Sequence, residues 1–169
     1  MSDAPIGIFD SGMGGLTVLR ALMARLPSEN FVYLGDTARL PYGTKSADTV
    51  RRYAVQASRA LVARDVKMVV VACNTASVSL PALQQAMAPL PVLGVIAPGA
   101  QAAVAAAPHG PIAVIATEGT VKNGAYRAAI HAHASNMTIV QQACPLFVPM
   151  TEEGLIDGPI AAAIAHRYL

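Results

Sequence analysis

The feature of this sequence that most limits its fold is a rhythm. Short apolar runs, rich in β-branched residues, stop abruptly on polar or glycine-containing turns, and most of those turns open an amphipathic stretch. The clearest case is Lys67-Met-Val-Val-Val-Ala-Cys-Asn-Thr-Ala76. Residues 68–72 are unbroken apolar, too short for an ordinary helix and full of valine, which reads as a strand buried on both faces. The run stops at Cys73, Asn74 and Thr75, and an apolar pattern resumes at Val78, Leu80, Ala82 and Leu83. Further strands are predicted over residues 6–9, 31–34, 89–96, 112–116 and 137–140. Helices are predicted over 16–26 and 44–64, from 78, over 101–107, through Tyr126 and Ile130, and from 157 onward. This alternation predicts an α/β fold, with parallel sheets and helices on both faces. Pro98-Gly99 marks the expected boundary between two parts, 1–97 and 98–169.

The turns carry the chemistry. In open α/β sheets, ligands bind outside the carboxyl ends of the strands. Cys73 stands at such an end, ahead of a helix N-terminus, where backbone N–H groups favour negative charge. A free thiol has a pKa of about 8.5, and this setting is expected to lower it. The functional reading is a thiolate facing a small anionic ligand; the alternative is an inert buried cysteine. Asp10-Ser-Gly-Met-Gly-Gly15 follows the first strand. Its spacing is neither the dinucleotide fingerprint nor a P-loop, but its glycines allow the backbone close to a ligand. A plain turn capped by Asp10 or Ser11 is the alternative there. Gly35-Asp-Thr-Ala-Arg-Leu-Pro-Tyr-Gly43 is long for so compact a chain. It reads as a functional loop with exposed backbone donors, or as a stiff surface turn. Arg51, Arg52, Arg59 and Arg64 read as a solvated helix face, and His109, His131 and His133 as solvent residues.

Composition removes whole classes of function. The chain has 169 residues, 54% hydrophobic and 13% charged, enough to bury a real core. A net charge of +2, 5% aromatics and no Trp give no nucleic-acid surface. No apolar stretch is long enough for a bilayer, and Met1-Ser-Asp-Ala-Pro5 has no leader-like pattern. The expected location is the cytoplasm. Cys73 and Cys144 have neither metal-ligand spacing nor a secretory context, so no disulfide and no metal are expected. No Lys sits in a strand-end motif, so no pyridoxal cofactor is expected either.

Taken together, several motifs resemble the glutamate racemase family of the aspartate/glutamate racemase superfamily. They are Asp10-Ser-Gly-Met-Gly-Gly15, Gly35-Asp36 with Pro41-Tyr-Gly43, Cys73-Asn-Thr-Ala76, Thr117-Glu-Gly-Thr120, and Cys144-Pro-Leu-Phe-Val-Pro149 with Glu152. They stand in that family's order and spacing across essentially the whole chain. The resemblance implies one flavodoxin-like or Rossmann-like domain plus part of a second similar domain, facing each other across a cleft. It implies cofactor-independent interconversion of L- and D-glutamate, supplying D-glutamate for peptidoglycan. One cysteine thiolate removes the α-proton and a second cysteine reprotonates from the opposite face.

By this resemblance Cys73 is the first catalytic cysteine. Asp10 assists proton transfer there or holds the substrate ammonium. Ser11, Tyr42 and Gly43 form the site for the side-chain carboxylate. Asn74, Thr75 and Thr120 form the site for the α-carboxylate, and Glu152 is also a substrate-binding position. The family's second cysteine lies in a Cys-Thr-His-Tyr-Pro motif, which these 169 residues do not contain. Cys144 matches a different family position. A C-terminally shortened relative with impaired activity is therefore expected. The sequence leaves a homodimer open, along with two other readings: a glutamate-binding module without catalysis, and a cysteine hydrolase or transferase. The last lacks a histidine in any strand-end motif to serve as its base.

Overall fold

Inversion of connectivity, rather than strand content, is what positions the site. The computed structural model describes residues 3–169; the leaderless reading of Met1 and Ser2 lies outside them. The chain divides into two compact units, one ending at Val95 and the other running from Ile96 to Leu169.

In the first unit, β1 (Ile6–Asp10), β2 (Phe31–Gly35), β3 (Met68–Val71) and β4 (Val92–Gly94) form one parallel sheet in the order β2-β1-β3-β4. Strand alternation sends side chains to two faces. Ile6, Ile8 and Ala72 pack with Val18, Leu19 and Leu22 of α1 (Leu16–Arg25). Phe9, Val69 and Val71 pack in one core with Val50, Ala54, Ala57 and Leu61 of α2 (Ala47–Val62). That core also takes in Leu83 and Met87 of α4 (Leu80–Met87), which follows the single-turn helix α3 (Asn74–Ser77). Helices thus cover both faces, as the alternation predicts. From β1 the chain winds outward to β2; from β3 it winds the other way to β4. The carboxyl ends of β1 and β3 therefore flank the topological switch point, where such sheets open a crevice.

The second unit holds a two-stranded parallel sheet of β5 (Ile112–Ala116) and β6 (Ile139–Ala143). Ile112, Val114 and Ile139 pack with Ala100 of α5 (Ile96–Ala106) and with Ile130, which lies on α7 (Ala125–His133). Between β5 and α7 lies α6 (Glu118–Asn123), separated from α7 by Gly124 in the left-handed region at φ 71°. The sheet's other side exposes Ile115 and Val140. Helices α8 (Phe147–Glu152) and α9 (Gly158–Tyr168) follow, joined by an edge-on contact of Phe147 and Tyr168 with ring centroids 5.5 Å apart. Among the described residues no helix is long and apolar enough to cross a membrane.

Several elements differ from the sequence expectation, and α8 has no counterpart in it. The strand predicted over 89–96 shrinks to Val92–Gly94, because the Val95 amide donates to the Ser77 hydroxyl at 3.3 Å instead of continuing the ladder. Helix α5 starts at Ile96 and runs through Pro98-Gly99, the expected boundary. Pro98 lies in the first turn, where its missing N–H has no intrahelical partner to lose. The sixth strand lies at Ile139–Ala143 rather than 137–140, its polar Gln141 and Gln142 having hidden it.

Candidate active site

The site of the first unit is built on the end of β1. Asp10 is buried, and one of its carboxylate oxygens, Oδ2, gathers three donors. The Gly12 and Gly15 amides reach it at 3.1 and 2.9 Å, and the Tyr33 hydroxyl at 3.4 Å. The same Tyr33 hydroxyl lies 3.0 Å from the Gly12 carbonyl. A side chain on Gly15 would meet the Asp10 Cβ at 2.6 Å, so the turn closes this tightly only around glycine. Burial, and then the nearby Asp10 charge, push the Tyr33 phenol well above its ordinary pKa, so it stays a donor.

Across the switch point, Cys73 is the N-cap of α3. The Ala76 amide donates to its Sγ at 3.4 Å, and the thiol donates to the Ser11 Oγ at 3.2 Å. The thiol is buried, and its pKa is raised, not lowered as its position had suggested. Loss of water is the first cause, and the charge of Asp10 adds to it. Bonds from Ser11 and the Ala76 amide oppose the shift without reversing it. At rest the site therefore holds a protonated thiol, with donors already aimed at the thiolate it would become. Such a group can move a proton on one face of a bound carbon acid.

The other expected residues fall in different surroundings. Asn74 is exposed and Thr75 buried, both in α3 beside Cys73. Tyr42 is sunk in the core, its ring 6.2 Å from Phe9 and 5.7 Å from Tyr53, centroid to centroid. Its hydroxyl donates to Asp36, which also holds the Arg39 guanidinium at 2.7 Å. The phenol is thus committed, and burial followed by that bond raises its pKa. What Tyr42 and the half-buried Gly43 have for a ligand is backbone. Thr120 and Glu152 belong to the second unit. Thr120 is buried, its hydroxyl 3.1 Å from that of Thr117, the N-cap of α6. Glu152 is exposed at the end of α8. Cys144 is buried with its amide on the Ala116 carbonyl at 2.8 Å, extending the β5–β6 ladder. Burial raises its thiol pKa.

Tyr33 is the residue that sequence reasoning missed. It sits inside a strand and reads as a packing aromatic; only the pairing of β2 with β1 brings its hydroxyl to Asp10. Tyr33→Phe is expected to fold but to loosen the turn. Amide hydrogen exchange at Gly12 and Gly15 should quicken about five- to tenfold, the loss of roughly 1 kcal/mol of hydrogen bonding. Unchanged protection would deny Tyr33 this role.

A doubly wound parallel sheet with a thiol, a hydroxyl and a carboxylate at its switch point defines a small-molecule site of the α/β class. The chain belongs to the Asp/Glu/Hydantoin racemase family, whose sequence profile matches residues 16–161. It is 53% identical over 165 residues to the glutamate racemase of Geobacter metallireducens, covering 97% of this chain and 61% of that protein. It is 47% identical over 169 residues to that of Chlorobaculum tepidum, covering 99% of this chain and 62% of that one. The chain thus spans about three fifths of the length of these relatives. Among solved structures, glutamate racemase from Francisella tularensis in complex with D-glutamate superposes with a TM-score of 0.93 at 39% identity, over 100% of this chain and 64% of that one. The Thermus thermophilus enzyme in complex with β-chloro-D-alanine gives 0.85 at 48% identity, over 99% and 62%.

Proposed function

We propose that this chain carries the first half-site of a cofactor-independent glutamate racemase, an isomerase, with Cys73 as the acid or base on one face of the substrate. The observation that carries the reading is the Cys73 thiol at the switch point, bonded to Ser11 and the Ala76 amide beside the Asp10 carboxylate. That the Francisella relative was solved with D-glutamate supports glutamate as the ligand.

Asp10 receives the substrate ammonium in this reading. A cation there offsets the charge that helps keep Cys73 protonated, so substrate arrival itself favours the thiolate. Ser11 and the backbone of Tyr42 and Gly43 take the side-chain carboxylate. Asn74 and Thr75, beside Cys73 in α3, take the α-carboxylate. Inversion needs a second acid on the opposite face, and Cys144 does not match the family's second-cysteine motif. The product would be D-glutamate for peptidoglycan, made in the cytoplasm, where a free thiol stays reduced.

The carboxylate assignment is tested by calorimetric titration with glutamate. Ser11→Ala and Asn74→Ala each remove a hydrogen bond to a charged group, worth roughly 1.5–3 kcal/mol. Each variant is expected to bind at least tenfold more weakly while melting normally. Unchanged affinity in both would overturn the assignment.

A further inference from the structure

A hollow in the first unit is lined by none of the residues around the Cys73 thiol. It is a groove of about 410 Å³ between α2 and α4. Its floor is Val55, Ala82 and Ala86, and its rim carries Arg51, Arg52 and Arg59. Ala82 and Ala86 lie one turn apart on α4, and their small side chains leave the space open. All three arginines are exposed, as a solvated face of α2 requires, and together they line one concavity.

The groove offers donors. A guanidinium has no acceptor. Gln56 also lines the groove, and its Oε1 already accepts from Arg39 Nη1 at 2.6 Å, which leaves its amide N–H groups to a ligand. Arg51 is paired with Asp48 at 2.9 Å, an exposed pair that water screens. No Asp or Glu is among the lining residues. Three like charges around a shared hollow repel one another, and an anion with more than one charge relieves that repulsion. Planar guanidinium forks suit carboxylate and phosphate oxygens in particular. A space of this size is in the range of small-molecule sites.

We propose that the α2–α4 groove is a second small-molecule site, for a compact, multiply charged anion bearing phosphate or carboxylate groups. It is independent of the racemase reading. The test is titration of the ¹⁵N-labelled full chain with inorganic pyrophosphate and, separately, with succinate, followed by ¹H–¹⁵N correlation spectra. Saturable shifts are expected at residues 51–59 and 82–86 with at least one anion. The preferred anion then identifies phosphate or carboxylate as the recognised group. Arg52→Gln/Arg59→Gln, both at exposed positions, should weaken binding about a hundredfold, roughly tenfold per guanidinium. Arg59→Gln alone should fall between. The proposal is overturned if neither anion produces saturable shifts in α2 and α4, or if the double variant binds as tightly as the parent.

Discussion

Gly35→Ala is expected to destabilise the first unit by about 3 kcal/mol, at the upper end of ordinary overpacking, and to abolish glutamate binding. A Cβ on Gly35 would lie 2.4 Å from the Gly12 carbonyl oxygen and 3.2 Å from the Tyr33 ring. The first is a backbone atom and cannot swing aside. It is also pinned, since the Gly12 carbonyl takes the Tyr33 hydroxyl at 3.0 Å and the Gly12 amide is on Asp10 at 3.1 Å. Relief must therefore displace the whole turn that presents Asp10 and Ser11. For a unit of this size the melting temperature should fall by about 12–24 °C. Gly14→Ala is the control, because nothing lies within 4 Å of its added methyl. Its effect should stay within about 0.5 kcal/mol, as for an ordinary surface change. Equal melting of the two variants would refute the close packing of the turn against β2.

Cys73→Ala should have the largest chemical effect. A positioned acid or base contributes about 10²–10⁴-fold to proton transfer, and exchange of the glutamate α-proton should fall by that factor, to background. Binding should survive, because the carboxylate contacts reside elsewhere. The parent's exchange should also rise with pH from neutral into the alkaline range. Burial, and then the Asp10 charge, raise the Cys73 pKa, so the thiolate is scarce at neutrality and grows as protons are withdrawn. A rate flat in pH, or one that survives Cys73→Ala, would remove Cys73 from the chemistry.

Much of this arrangement is legible in the residues themselves. Strands β1, β2, β3 and β5 announce themselves as short apolar runs, and Asp10, Ser11 and Cys73 stand where such runs stop. Strand order is not legible, because a period of two says which face a side chain takes and nothing about its neighbour. That is why Tyr33 stayed hidden and why the switch point emerged only with the sheet. The end of β4 is not legible because it rests on the bond from the Val95 amide to Ser77, and the start of α5 is hidden because Pro98-Gly99 reads as a break, although the first turn of a helix tolerates both. The direction of the Cys73 pKa shift also escaped. Position reveals the helix N-terminus, whereas the burial that outweighs it depends on Phe9, Tyr42 and Val71, with which Cys73 shares one core.

The most direct test of the account is proton NMR of D- and L-glutamate, each incubated in D₂O with the purified 169-residue chain. The account predicts that the α-proton signal of one enantiomer decays with retention of configuration while that of the other persists, and that inversion is very weak or absent. Cys73→Ala should stop the decay. Binding without any exchange would contradict the account and leave a glutamate-binding module. Rapid inversion would contradict its one-face chemistry and demand a second acid, with Cys144 the first to substitute.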